Sequence, residues 1–303
     1  LSNDHSIYAR SLRIAAEILE IKTLYLQHAS VSKFFPPLEF DYALLDGDVS
    51  YQNYIASYQA QKKKNPRIEK NTANCQVLLS GQKKNIIKIN KKKNNKFKEN
   101  KKKKLCIGLA INNLNHFNDT VNILNHLVKL KVKCIVRTHP SKNLSFIKKL
   151  KLFIKDKKMI RWSNPIEQSL INYFETLDVL IAGDTSIHLE AALASLPTFY
   201  YKISKLKYLA TDNYGYVENN LSTRLETNFS FESLKFLIKK TYNNNQRNRA
   251  IKKYSETYET IWQNREGELS TIIIDRILNK KPVNDLFENK KSKIYHSVGF
   301  LKL

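Results

Sequence analysis

Acidic side chains are in short supply: Asp and Glu number 27 against 52 Lys and Arg in 303 residues, a formal charge of +25. An excess of that size ordinarily points to nucleic acid, an anionic membrane or a polyanionic substrate. Its distribution weakens the inference, because residues 83–104 hold twelve lysines and a single acid, Glu99, and so supply eleven of the excess charges. The same run has one aromatic, Phe97, so the stacking platform of a single-strand RNA binder is missing. Cysteine is nearly absent as well. Cys75, Cys106 and Cys134 are far apart and sit in or beside apolar runs, which excludes a disulfide framework or a metal signature and suits buried thiols in a reducing cytoplasm. Long hydrophobic runs are also missing, none approaching the about 18 residues that span a bilayer. A cytoplasmic location is expected.

What is present is alternation of short apolar runs with amphipathic ones. Asp4 can cap a helix whose apolar members Tyr8, Leu12, Ala15, Ala16 and Leu19 recur at three and four. Strands follow over residues 23–27, 42–45 and 76–79, with an amphipathic helix through Tyr51, Tyr54, Ile55 and Tyr58. That is βαβ order with a parallel sheet implied, and a short sheet at that. Residues 83–104 have no apolar period and read as a solvated linker. Beyond it, strands over 105–110, 133–138, 159–163, 178–182 and 198–201 alternate with helices over 120–130, 146–155, 165–176 and 187–194. Helices over 231–242 and 247–278 follow, and the last two dozen residues read as a loosely ordered tail. The expected organisation is a partial first domain over 1–82, the linker 83–104, a doubly wound second domain over 105–278 and a tail over 279–303.

The stretch DVLIAGDTSIHLEAALASLP, residues 178–197, reads as a buried strand delivering a small-residue turn into a helix start. The first turn of a helix leaves N–H groups unpaired at the positive end of its dipole, so it can seat a phosphate. Thr185 and Ser186 add hydroxyl donors, and Glu190, four residues beyond Ser186, could accept from a ribose diol on the same face. An ordinary capped turn would look the same. Open α/β sheets bind ligands at the carboxyl ends of their strands, which here present Arg137-Thr138-His139-Pro140, Ser163-Asn164 and the 183–186 turn. In the first domain they present Gln27-His28 and Asp46-Gly47-Asp48. A guanidinium and an imidazole beside a helix-start anion seat suit a pyrophosphate or a phosphoester leaving group, although a salt bridge and a turn contact are the plainer reading of the two.

Taken together, QHA after a strand, a strand ending in LDG, a basic linker, RTHP, SNP and the 178–197 stretch resemble the GT-B fold glycosyltransferases that build bacterial surface polysaccharides. The sets it is most similar to are the capsule and polysialic-acid transferases and the teichoic-acid glycerophosphotransferases. The resemblance covers residues 7–278 and is most specific over 133–202. It implies two Rossmann-type domains, the N-terminal one lacking the front half of the usual acceptor domain, and inverting transfer from a nucleotide-activated donor without a metal ion or other cofactor. On the motif positions it implies His139 and Arg137 on the donor phosphate, Thr185 and Ser186 on the same phosphates, Glu190 with Ser163 and Asn164 on the ribose and base, and His28 as acceptor-side general base. A cytidine-activated donor and a glycan or lipid-linked acceptor are the implied partners.

Three rival readings stay open. Asp46-Gly47-Asp48 could be the metal-binding Asp-x-Asp of a GT-A enzyme, although only about 45 residues precede it, too few for the nucleotide-binding unit such a fold needs upstream. A non-hydrolysing UDP-sugar 2-epimerase shares the architecture. A basic RNA-binding protein would use the lysines. The charge more readily meets the anionic inner face of a membrane, where lysines attract by about 1 kcal/mol each, giving a peripheral association.

Overall fold

A computed structural model describes residues 1, 6–64, 75–84, 105–112, 115–140, 144–154, 157–203, 212–242, 245–286 and 294–296. The chain divides into two units, one of residues 1–85 with 251–303 and the other of residues 86–250. The linker expected over 83–104 lies outside the described residues from 85 onward. Residues 251–278, which the sequence pattern attaches to the second domain, group with the first unit instead.

In the first unit, β1 (Leu24–Leu26), β2 (Tyr42–Leu45) and β3 (Gln76–Leu79) are parallel neighbours, with β10 (Ile294–His296) antiparallel on the edge of β3. The tail expected to be loose therefore contributes a strand there. Ala43, Leu44 and Leu45 are fully buried, as a parallel strand covered on both faces requires. Helix α2 (Asp48–Lys62) packs Tyr51 and Tyr54 against one face, while Leu269 and Ile273 of α9 (Glu266–Leu278) cover Leu44 and Leu78 on the other. Helix α1 (Ile7–Ile18) forms where the apolar spacing places it, but most of its apolar members are not packed. Tyr8, Leu12 and Leu19 are exposed, whereas Arg13 is buried because it pairs with Glu17 and Glu39.

The second unit is a parallel sheet in the order β6-β5-β4-β7-β8-β9, made of β4 (Cys106–Ile111), β5 (Lys133–Thr138), β6 (Ile160–Ser163), β7 (Val179–Ala182), β8 (Thr198–Tyr200) and β9 (Thr223–Arg224). Helices α3 (Phe117–Lys129), α4 (Leu144–Leu152), α5 (Leu170–Glu175), α6 (Ile187–Leu193) and α7 (Phe231–Tyr242) are interleaved with the strands or follow them, and α8 (Asn245–Tyr254) runs on from this unit into the first. Ile107, Leu109 and Ile111 of β4 meet Ile123, Leu124 and Leu127 of α3 in one buried cluster. Full burial of each such side chain contributes about 1.5–3 kcal/mol. On the opposite face Gly108 leaves room for α5: a Cβ there would stand 2.7 Å from the Tyr173 hydroxyl, which donates to the Ile135 carbonyl at 3.1 Å.

Two helices differ from the sequence expectation for one reason, short polar side chains bonding their own backbone. The helix expected from Pro165 begins only at Leu170, because Asn164 Oδ1 accepts from the Ile166 N–H and holds a turn, after which Ser169 caps α5. The helix expected over 247–278 breaks into α8 and α9. Between them the Thr260 hydroxyl bonds Thr257 O and the Thr257 hydroxyl bonds Glu266, which closes a turn.

Candidate functional site

With β4 as first strand, the second sheet reads 3-2-1-4-5-6 in order of appearance, the doubly wound arrangement. β4 and β7 run parallel, but the order in which strands are added reverses between them, and the crevice outside their carboxyl ends is where such sheets take ligands. The turn 183–186 closes β7 and leads into α6, so it stands at that crevice. His139 follows β5, the neighbour of β4 on the other side, and its backbone N–H donates to Ile111 O at 2.9 Å, locking the β5 tip beside the β4 end. One strand separates β5 from β7, about 10 Å at the usual spacing. The imidazole-bearing strand tip and the hydroxyl-bearing turn are thus on the same edge of one sheet. His139 is exposed, Thr185 and Ser186 are half-buried, and the Ser186 hydroxyl makes no capping hydrogen bond.

Arg137 and Glu190 lie beneath this edge. Arg137 is 8% exposed, and its guanidinium donates to Ser163 Oγ at 2.8 Å and Gln168 O at 2.9 Å while stacking over Tyr173. Burial lowers its pKa, opposed by the electrostatic pull of Tyr173 and Glu190. Glu190 is 4% exposed, so neither charged group lies open on the surface. Ser163 is committed to the same brace, its hydroxyl donating to Gln168 Oε1 at 2.7 Å. Asn164 is exposed in the turn after β6 and donates to Glu167.

Residues at the crevice that the motifs do not single out are Asn112 and Asn115, which meet Asp184 of the 183–186 turn there. Asn112 follows β4, takes the Asn115 side-chain oxygen on its N–H at 2.6 Å and donates from Nδ2 to Asp184 O at 2.8 Å, tying the two strand ends together. The Asp184 carboxylate accepts from the Asn213 backbone at 3.1 Å and side chain at 3.0 Å. Asp212, at φ +73°, accepts from the N–H groups of Tyr216, Val217 and Glu218, so the 212–218 loop is pinned to the same turn. Burial raises the pKa of Asp184 and Asp212, against those same backbone bonds. A signal for Asn112 existed, since the first strand of a doubly wound sheet always ends at the reversal.

His188 of α6 is fully buried, donates Nε2–H to Gly183 O at 3.0 Å, and has no partner on Nδ1. Burial pushes its pKa down to about 4. Above about pH 6.5 the imidazole is neutral in folded and unfolded chains alike; as pH falls, the unfolded chain takes a proton that the folded one refuses until about pH 4. This residue is expected to remove about 3 kcal/mol of stability across that window. Urea unfolding at neutral and acid pH should show a shallower acid loss for His188→Phe than for the natural chain. Parallel profiles would contradict the assignment.

In the first unit the strand ends hold His28, exposed after β1, and Asp46, buried after β2. Asp46 Oδ1 accepts from Lys83 Nζ at 2.9 Å, so the carboxylate proposed for a GT-A metal site is occupied by an ammonium. Gly81 (φ +78°) closes β3 where any Cβ would fall 1.9 Å from Thr257 Oγ1, so the turn between α8 and α9 seals this strand end. Among the described residues no group of three His, Cys, Asp or Glu could hold a metal ion, and no helix is long and apolar enough to cross a membrane.

No protein-family model matches the chain, and no curated protein does. Solved structures do. A Listeria monocytogenes protein assigned as a UDP-N-acetylglucosamine 2-epimerase superposes at TM-score 0.53 and 10% identity, covering 91% of this chain and 73% of that one. S. aureus MnaA, solved with UDP, gives 0.49 at 14% identity over 89% and 72%. A glycosyltransferase of Rickettsia africae gives 0.46 at 13% over 93% and 84%. With the strand order above, the fold is GT-B-like, two Rossmann-type α/β units in one chain.

Proposed function

We propose that this chain is a glycosyltransferase that takes a nucleotide-activated sugar in its second unit and transfers it, with inversion and without a metal ion, to a glycan or lipid-linked acceptor of the cell surface. The observation that carries the reading is the gathering of His139, Thr185 and Ser186 outside the carboxyl ends of the strands where the strand order reverses. There the Thr185 and Ser186 hydroxyls and backbone would hold the donor phosphates. His139 would donate to the phosphate oxygen that carries the leaving charge. Arg137 and Glu190 would act from below, Arg137 as a buried positive charge and a brace for Ser163, Glu190 as its counter-charge and, where the turn opens, the acceptor for a ribose hydroxyl. His28 would be the acceptor-side base. A cytidine nucleotide is the favoured donor, and the acceptor places the enzyme at the inner membrane face.

Calorimetric titration with CMP, CDP, UDP and GDP tests the donor site. One of these should bind, and Thr185→Val/Ser186→Ala should weaken it by about 10–100-fold, the loss of one or two hydrogen bonds to a charged group. Equal affinity in the double variant would remove the turn from the site. The likeness to an epimerase-assigned protein keeps a second reading in play: interconversion of a UDP-sugar with no acceptor present would favour a 2-epimerase.

A further inference from the structure

Helix α4 turns Leu150 into the core of the second unit, so Leu152, two positions on and on the other side of the helix, faces outward and is 75% exposed. Phe153 follows at 53% exposed, its ring edge-on to Phe117 at 5.4 Å. Around this apolar pair the charges are of one sign. Residues 142–161 hold eight Lys and Arg against a single acid, Asp156, which lies outside the described residues. Lys148, Lys149, Lys151 and Lys158 are exposed, as is Arg161 on β6, the edge strand of the sheet. The acids of neighbouring segments are engaged locally, Asp119 of α3 with His116 at 3.4 Å and Glu167 with the Asn164 amide at 2.8 Å.

Lysines that guard an edge strand against pairing with another chain would account for part of this pattern. They would not call for an exposed leucine and phenylalanine among them. A face for single-stranded nucleic acid would need open rings on which bases stack. Here Lys151 already lies over the Trp162 ring at 4.9 Å and Lys149 over Phe117 at 5.0 Å. Cations surrounding outward apolar side chains, with an aromatic ring at their margin, are what a helix lying in the headgroup layer presents.

We propose that the end of α4 and the adjoining β6 edge form a docking face for an anionic phospholipid surface. Leu152 and Phe153 enter the boundary between headgroups and acyl chains, and Lys148, Lys149, Lys151, Lys158 and Arg161 meet the headgroup phosphates. The face extends the membrane placement in the transferase reading above, but it stands on exposure and charge and needs no transfer activity. It is also separate in sequence from the lysines of residues 83–104.

The test uses the full chain with vesicles of phosphatidylcholine alone and of an equal mixture with phosphatidylglycerol. The chain should sediment with the mixed vesicles and not with the neutral ones. Lys148→Gln/Arg161→Gln, which leaves Lys149 and Lys151 on their rings, should weaken that binding by about 10–30-fold, at about fivefold for each cation. Leu152→Asn should weaken it by about tenfold, since the side chain no longer gains from leaving water. All three positions are exposed, so an unchanged Tm is expected and checks that the fold is intact. In a Trp262→Phe chain, lipid carrying a nitroxide high on its acyl chain should quench Trp162 on binding. No binding to the mixed vesicles, binding that leaves Trp162 unquenched, or binding indifferent to Leu152→Asn overturns the proposal. So does homopolymer RNA held more tightly than the mixed vesicles and equally well by Leu152→Asn, which would assign the face to nucleic acid. Vesicle binding by this face in a chain that binds no nucleotide would keep the docking face and remove the transferase reading.

Discussion

Replacing Arg137 with methionine is expected to lower the unfolding free energy of the second unit by about 3 kcal/mol, since two buried hydrogen bonds from a charged donor, at about 1.5 kcal/mol or more each, are lost. The guanidinium satisfies the Ser163 hydroxyl and the Gln168 carbonyl, and it stacks over Tyr173. Methionine fills much of the volume but meets none of these groups, so the Ser163 hydroxyl and the Gln168 carbonyl lose their donor. Trp162 on β6 reports from this unit and Trp262 from the other, so denaturant unfolding followed by fluorescence in a Trp262→Phe background reads the relevant transition. Arg137→Met/Ser163→Ala should cost less than the sum of the two single changes, as hydrogen-bonded partners do. A loss under about 1 kcal/mol in the single variant would mean that Arg137 is not the brace described.

Much of this architecture was legible in the residues. β2, β3, β5 and α7 fall where the apolar pattern places them, because strands buried on both faces and capped amphipathic helices declare themselves locally. The strand-end residues His28, Arg137, His139, Thr185 and Ser186 were likewise readable, since breaker residues mark where each strand stops. What was not readable depends on long-range partners. Arg13 and Arg137 look like surface charges until Glu39 in one case and Ser163, Gln168 and Tyr173 in the other are brought to them. The burial of Glu190 follows from how α6 lies on the sheet, which helical spacing alone does not fix. The grouping of residues 251–303 with the first unit needs contacts across more than 160 residues, such as the Gln82 N–H on the Ser255 hydroxyl at 3.1 Å. The Asn112–Asp184 tie required knowing that β4 and β7 are neighbours.

His139→Ala carries the second large effect. A hydrogen bond to a charged phosphate contributes about 1.5–3 kcal/mol, so its loss should weaken nucleotide binding by roughly 10–100-fold. The side chain is exposed at the strand tip and its backbone N–H holds Ile111 O whatever the side chain, so the fold should not change. The decisive measurement is a thermal-shift panel of CMP, CDP, UDP and GDP on the natural chain and on His139→Ala. At a hundredfold excess over Kd the bound nucleotide should stabilise the natural chain by about 2.7 kcal/mol, or about 5–10 °C. In the variant, with binding weakened about 10–100-fold, the same concentration should give about 0.4–1.4 kcal/mol, or about 1–6 °C, with the unliganded Tm unchanged. No shift from any of the four, or a shift undiminished in His139→Ala, would contradict a nucleotide site where the strand order of the second sheet reverses.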